Sequence, residues 1–228
     1  MGYLLDHCCF DKLSSQIIDR CQPFSCKNDA GINSFFHNGT PDNYADYQKE
    51  RMAVSHCFHT DEPSPRMVCA FSLSSTALRV DILPGSGRSR FNRRRKIPNT
   101  KRRAQYPAIL IGQLCVFDGF GSHSFEEGDV GKEMMDLIKT IALNPDNNVA
   151  VRYLVVDATN KPNVLEYYQR NGFEFLFTSE SDEYDYLHMK GNHHGLFQRI
   201  KNFWAKEPKV KDPLNTRLML FDLIVLKA

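Results

Sequence analysis

The sequence predicts a mixed α/β domain in which helices flank a central sheet. Strand-like and helix-like segments alternate between Tyr106 and Phe177, and the region before them has the pattern of a β-hairpin. A chain of 228 residues with 42% hydrophobic and 25% charged residues can bury one sizeable core. We therefore expect a single domain over residues 1–228.

The alternating segments begin at residues 106–117, which are apolar on both faces and so predict a central strand covered on both sides. Apolar residues recur at helical spacing from Val130 to Ile141, and Asn144-Pro145 is expected to end that helix. Residues 151–157 are short and rich in β-branched side chains. They predict a second buried strand.

A second helix is expected to follow, with Asn160 as its N-cap and Pro162 in its first turn. Gly172 is expected to end this helix in the left-handed conformation. Residues 173–177 then predict a third strand, and residues 216–226 predict the closing strand.

The N-terminal third has weaker signals. Residues 8–21 predict a first strand and turn, and Asn28 or Asp29 can cap a helix whose core side chains include Phe36. A further helix is expected to start at Pro41-Asp42. Two runs at 53–58 and 67–73, separated by a turn, predict the hairpin.

Two segments interrupt this plan: a connector at residues 74–105 and an extra segment at residues 178–213. Residues Arg88–Arg103 concentrate positive charge in the connector, which is either a solvated loop or an electrostatic guide for a phosphate-rich partner such as RNA. In the extra segment, residues 196–204 form an aromatic stripe at helical spacing. It either docks on the parent fold or forms a partner or homodimer face.

The composition limits the environment and the cofactors. No apolar run approaches the roughly 20 residues that span a membrane, and the N-terminus lacks a signal-peptide pattern, so we expect a cytoplasmic protein with no membrane partner. Seven cysteines without a Cys-x-x-Cys pair are expected to be free thiols. His56, Cys57, His59 and Cys69 do not have a familiar zinc-ligand spacing, so no metal site is expected.

Several of these segments together resemble a known family. Leu114-Cys115-Val116, a glycine-bearing turn into a helix, Val155–Asn160 and the run Tyr167–Phe173 are similar to the GNAT superfamily of acetyl-CoA-dependent N-acetyltransferases. The Tyr-x-x-Asn-Gly-Phe ending is the most specific part. The spacing of residues between Phe24 and Phe36 also resembles the opening of a GNAT subgroup that includes toxins acetylating aminoacyl-tRNA.

The resemblance implies a GNAT fold, acetyl-CoA as co-substrate and direct transfer of the acetyl group to a primary amine, whose identity it leaves open. It implies that Tyr168 protonates the departing thiolate. It also implies that backbone groups of the strand at Leu114–Val116 bind the pantetheine arm. It implies that the glycine turn holds the pyrophosphate and that Asn160 contacts the cofactor arm. The implied cofactor-binding residues are Leu114, Cys115, Val116, Gly128, Asp129, Val130, Gly131, Lys132 and Asn160.

The glycine turn departs from the family pattern. Glu126, Glu127 and Asp129 place carboxylates where a pyrophosphate is expected, and Lys132 is the neighbouring cation that can offset them. Three hypotheses therefore stay open: an active acetyltransferase, including an RNA-directed one; a GNAT-shaped binding or regulatory module with a degenerate turn; and a nucleic-acid binder that uses the connector alone. The sequence marks no general base.

Overall fold

The computed structural model describes residues 2–26, 29–80, 83, 91, 105–121, 128–147, 149–189 and 213–227. Within them the chain forms seven helices, seven strands and a short 3₁₀ helix. In chain order these are α1 Tyr3–His7, β1 Cys8–Lys12, α2 Ser15–Arg20, α3 Ala30–Phe36, α4 Tyr44–Lys49, β2 Val54–Thr60, β3 Met67–Arg79, β4 Gln105–Val116, α5 Val130–Leu143, β5 Tyr153–Thr159, α6 Pro162–Arg170, β6 Glu174–Phe175, α7 Glu180–Met189, β7 Thr216–Asp222 and the 3₁₀ helix Leu223–Lys227.

The chain divides into two compact units. The first comprises Met1–Leu78, Pro107–Val156 and Phe221–Ala228, and the second comprises Arg79–Tyr106 and Asp157–Leu220. Strands β5 and β7 each contain residues of both units.

The first unit is built on a mixed sheet with the strand order β1-β2-β3-β4-β5. Strands β1, β2 and β3 are antiparallel neighbours, and Val54 lies opposite Leu73 in the predicted hairpin. Strands β4 and β5 are parallel, with a register that runs from Ala108 opposite Tyr153 to Ile111 opposite Val156. The predicted mixed sheet with flanking helices is thus confirmed.

Helices α2, α3 and α4 contribute to the core of the first unit, together with side chains of β2, β3 and β4. The carboxylate of Asp29 caps α3 by accepting the backbone N–H of Ile32 at 3.0 Å, as the sequence predicts for this helix. At the other end of this helix Phe35 and Phe36 lie in the core, where Phe36 is fully buried.

The second unit contains α6, the antiparallel pair of β6 and β7, and α7. Glu174 lies opposite Leu220, and Phe175 lies opposite Met219. Helix α6 ends at Arg170, and Gly172 follows two residues later with a φ of +81°, which confirms the predicted left-handed residue.

Several predicted boundaries are wrong. Strand β3 continues to Arg79, so the connector begins later than residue 74, and the closing strand ends at Asp222, where a 3₁₀ helix follows. The predicted strand at residues 173–177 is only two residues long. Helix α4 begins at Tyr44 rather than at Pro41-Asp42, because Asn43 supplies the cap and accepts the backbone N–H groups of the first turn.

Three further helices, α1, α2 and α7, were not predicted. Residues 8–21 contain the helix α2 after the predicted strand, and the acidic run at 179–183 lies at the start of α7. The basic segment Arg88–Arg103 and the aromatic stripe at 196–204 fall outside the described residues, apart from the buried ring of Phe91. Along the described part of the chain, every helix is too short or too polar to cross a membrane.

Gly172→Ala tests the end of α6. A Cβ atom is strained in the left-handed region, so we expect a loss of about 1 kcal/mol in the free energy of unfolding. Gly112→Ala is the control, because its added Cβ would meet its nearest atom at an ordinary 3.9 Å. Denaturant titration measures both variants. Equal stability of the two would contradict the assignment of strain to Gly172.

Candidate functional site

The end of β4 carries the first group of predicted site residues. Cys115 is buried in the core cluster, while Leu114 and Val116 are half-buried. Burial raises the pKa of the Cys115 thiol well above its ordinary value, so this thiol stays protonated. The parallel register with β5 ends at Ile111, and β4 continues to Val116 beyond it. The side chain of Cys115 therefore serves packing, and the backbone of this stretch is the part suited to a ligand.

The start of α5 carries the second group. Asp129 is the N-cap, and its carboxylate accepts the backbone N–H of Lys132 at 3.0 Å. A cap of this kind satisfies one of the free donors at a helix start and places a negative charge at its positive end. A pyrophosphate at the start of α5 would be repelled by the negative charge of Asp129. It would also find the backbone N–H of Lys132 already bonded to that carboxylate.

Glu133 anchors the N-terminal helix at the same place. Its two carboxylate oxygens accept the backbone N–H groups of Tyr3 and Leu4 at 3.1 and 2.8 Å. A Cβ added at Gly128 would lie 3.0 Å from Glu133 Oε1, and one added at Gly2 would lie 2.5 Å from the carboxyl group. Both glycines therefore permit the close approach of backbone to this carboxylate.

The side chain of Lys132 is paired with another residue of α5. Its ammonium donates to Asp136 Oδ2 at 2.7 Å, one turn further along α5. The hydrogen bond and the charge of Asp136 raise the pKa of Lys132. The cation that was expected to offset the acidic turn is thus already paired within the helix.

Asn160 has a different local role from the one predicted. Lys161 occupies the N-cap position of α6, so the prediction that Asn160 caps this helix is wrong. The Asn160 side-chain amide instead donates to the carbonyl of Leu214 at 2.8 Å and to Glu180 Oε1 at 3.2 Å. Its backbone N–H donates to Asn215. These bonds hold Asn160 to the segment that leads into β7.

Tyr168 lies on the buried side of α6, with 6% of its surface exposed. Its ring makes edge contacts with Tyr167 and Phe173, with centroid distances of 5.2 and 5.4 Å. A tyrosine phenol is protonated at neutral pH at its ordinary pKa of about 10, and burial raises the pKa of Tyr168 further. The residue can therefore act as a proton donor and not as a base.

A buried ion pair in the second unit was not predicted from the sequence. Glu183 of α7 is fully buried, and it accepts from Arg217 Nε at 2.7 Å and from the backbone N–H of Leu218. The Arg217 guanidinium also lies 4.5 Å from the ring centroid of Phe175 and 3.9 Å from Glu180 Oε2. Because Glu180 also contacts Asn160, these contacts connect α7 to a predicted site residue.

The predicted residues divide between the units. The first unit contains Leu114–Val116 and Gly128–Lys132, and the second contains Asn160 and Tyr168. Glu126 and Glu127 fall outside the described residues. Among the described residues, no group of three or more histidine, cysteine or acidic side chains could hold a metal ion. His59, one of the four residues considered as zinc ligands, instead contacts Asp11 through its Nε2 atom at 3.0 Å.

Comparison with known proteins gives a structural likeness. No family profile matches the sequence, and no curated protein sequence is significantly similar to it. Solved structures match over nearly the whole chain. A tyrosine-to-phenylalanine mutant of KacT has a TM-score of 0.56 at 12% identity, covering 97% of this chain and 98% of that one.

Two structures of a second protein match in the same way. AtaT complexed with acetyl-methionyl-tRNAfMet has a TM-score of 0.55 at 13% identity and covers 96% of this chain and 97% of that one. AtaTR bound with AcCoA has a TM-score of 0.52 at 14% identity, with 98% and 99% covered. The chain therefore has the GNAT fold that the sequence predicts, and within that fold its structure is similar to those of KacT and AtaT.

Proposed function

We propose that this chain is an acetyl-CoA-dependent N-acetyltransferase that transfers the acetyl group directly to a primary amine. The observation that carries the proposal is Tyr168, a buried phenol on helix α6, two residues before the helix ends at Arg170. It lies at the position that the GNAT resemblance assigns to the proton donor. The likeness in fold to AtaTR, whose structure is bound with AcCoA, supports the same activity.

The residues present fit acetyl-CoA in part. When bound, this co-substrate supplies the activated acetyl thioester. The backbone of Leu114–Val116 would hold the pantetheine arm, because the register with β5 ends before it. The start of α5 fits a pyrophosphate only if the charge of Asp129 is offset, because that carboxylate already caps the helix.

Proton movement is the chemistry that this chain's own side chains can supply. Attack on a thioester requires a neutral amine, and the thiolate that leaves requires a proton. The Tyr168 Oη holds a proton throughout the physiological pH range, as a phenol with an ordinary pKa of about 10 already does. We assign to this atom the delivery of that proton.

Aminoacyl-tRNA is the first acceptor to test. The AtaT structure contains acetyl-methionyl-tRNAfMet, and this chain carries the basic segment Arg88–Arg103. We expect labelled acetyl-CoA to acetylate aminoacyl-tRNA, with an affinity for RNA that falls steeply as salt rises. If the protein acetylates small amines but not aminoacyl-tRNA, the hypothesis of an RNA acceptor is rejected, and the proposed acetyltransferase activity is retained.

One observation favours the second candidate, a GNAT-shaped binding or regulatory module. Asp129 places its charge at the helix start that a pyrophosphate would need, and the nearby Lys132 is paired with Asp136. Calorimetry with acetyl-CoA separates the two candidates. Binding at submillimolar concentration supports the enzyme, and undetectable binding supports the module.

Asp129→Asn tests the turn directly. Asparagine caps a helix as well as aspartate does, so α5 should remain intact while the charge is removed. We expect acetyl-CoA to bind roughly two- to fivefold more tightly, the size of a charge–dipole contribution of about 0.3–1 kcal/mol. Asp146→Asn, at an exposed position beyond the other end of α5, is the control. Calorimetry at low ionic strength measures the affinity of both variants for acetyl-CoA. Equal affinities would indicate that the pyrophosphate does not bind at the start of α5.

A further inference from the structure

An apolar cavity of about 480 Å³ opens on the first unit, beside β2, β3 and the beginning of β4. This volume is in the range of small-molecule pockets. Its lining is mostly apolar and includes Leu73, Ile109 and Ile141. Val54 and Val149 contribute to the rim and are 40% and 70% exposed, so apolar surface continues from the cavity to solvent.

A second cavity of about 470 Å³ adjoins the first, because Val54, Leu73, Ser74 and Ser75 line both. Its other lining residues include the two cations Lys12 and Arg51, the latter just past the end of α4. Within the described part of the chain, neither cation forms an ion pair. The joined cavities thus have an apolar end and a positively charged end.

His56 lies on the wall of the apolar cavity, and its ring packs against the rings of Phe10 and Phe71 at 5.3 and 5.4 Å. Its Nδ1 atom is buried and has no hydrogen-bond partner within the described residues. Burial and the charge of Lys12 lower the pKa of His56, so the imidazole is neutral at pH 7. A buried polar atom without a partner is costly, and a bound ligand can supply that partner.

We propose that the two cavities form one binding site for a small amphiphilic anion, a molecule with an apolar body and a single carboxylate or phosphate group. The apolar body lies against Leu73, Ile109 and Ile141. The anionic group lies between Lys12 and Arg51, where charge-assisted hydrogen bonds stabilise it. Ser74 and Ser75 line the boundary between the two ends.

This site is distinct from the proposed acetyl-CoA residues. Ile109 and Leu114 both lie in β4, and at about 3.3 Å per residue they are separated by roughly 16 Å along the strand. Binding at the cavities therefore does not depend on acetyl transfer, and the proposal stands or fails independently of the proposed function.

Calorimetric titration of the full chain with octanoate and octyl phosphate tests the site. We expect both to bind with submillimolar dissociation constants, and the tighter of the two identifies the preferred anionic group. Octanol lacks the charge and inorganic phosphate lacks the apolar body, so each should bind at least about tenfold more weakly. Octanol binding as tightly as octanoate would overturn the assignment of the cationic end.

Two pairs of variants locate the binding. Val149→Trp should block the apolar cavity from its rim, whereas Val225→Trp, at an exposed valine that does not line it, should leave binding unchanged. The double variant Lys12→Ala with Arg51→Ala should weaken octanoate binding on the order of tenfold, and Lys49→Ala should not. Because all these positions lie at the surface, the fold should be retained. Unchanged binding in both test variants would overturn the proposal.

Discussion

Replacing Tyr168 by phenylalanine is expected to lower the rate of acetyl transfer by about a hundredfold to ten-thousandfold, the usual contribution of a general acid. Phenylalanine keeps the ring that packs against Tyr167 and Phe173 and removes only the hydroxyl. The dissociation constant for acetyl-CoA should change less than about threefold, since the lost proton acts in the transition state and not in binding.

Tyr167→Phe is the matched control for this experiment. The two tyrosines are adjacent on α6, but Tyr167 is only half-buried, and the GNAT resemblance assigns it no role. Transfer of labelled acetyl groups and calorimetry should be measured on both variants. A normal rate in Tyr168→Phe would remove this residue from the mechanism, whereas equal losses in both variants would indicate a structural effect on α6.

Replacing Arg217 by alanine is expected to destabilise the protein by about 3–5 kcal/mol, because it leaves the carboxylate of Glu183 buried without its cation. Glu183 is fully buried, and Arg217 is its charged partner at 2.7 Å. The same substitution removes the contact between the guanidinium and the ring of Phe175. Chemical denaturation followed by circular dichroism measures the loss.

Arg170→Ala provides the comparison at the surface. Its pair with Glu166 has side chains that are 75% and 58% exposed, so the loss should be below about 1 kcal/mol. The double variant Glu183→Leu with Arg217→Met should be more stable than Arg217→Ala, because no buried charge remains unpaired. A double variant no more stable than the single one would show that packing, and not charge, explains the loss.

The sequence predicted best what depends on neighbouring residues. The helix α5 follows from the spacing of apolar side chains such as Val130 and Ile138, both fully buried, and Gly172 follows from its position after a helical run. The cap of α3 by Asp29 has the same local origin. Each of these features is decided within a few residues, so periodicity and capping rules suffice to predict it.

Features that depend on distant partners were missed. The Asn160 amide donates to the carbonyl of Leu214 instead of capping α6, and Glu183 binds Arg217 across 34 positions of sequence. The first helix is held to Glu133, whose carboxylate lies 130 residues away from Tyr3. Sequence patterns cover only a few neighbouring residues, so they cannot predict partners that lie this far apart in the chain. For the same reason the sequence could name Tyr168 as a candidate but could not show that its side chain is buried.

The anchoring of the first helix to Glu133 offers a spectroscopic probe of the glycine turn. The amide hydrogens of Tyr3 and Leu4 point at a carboxylate on the first turn of α5, so their NMR resonances depend on the charge and position of that carboxylate. An anion that binds near Gly128 would therefore shift the amide resonances of Tyr3 and Leu4. Two backbone signals in an isotope-labelled sample can therefore follow the start of α5 during a titration, without any enzymatic assay.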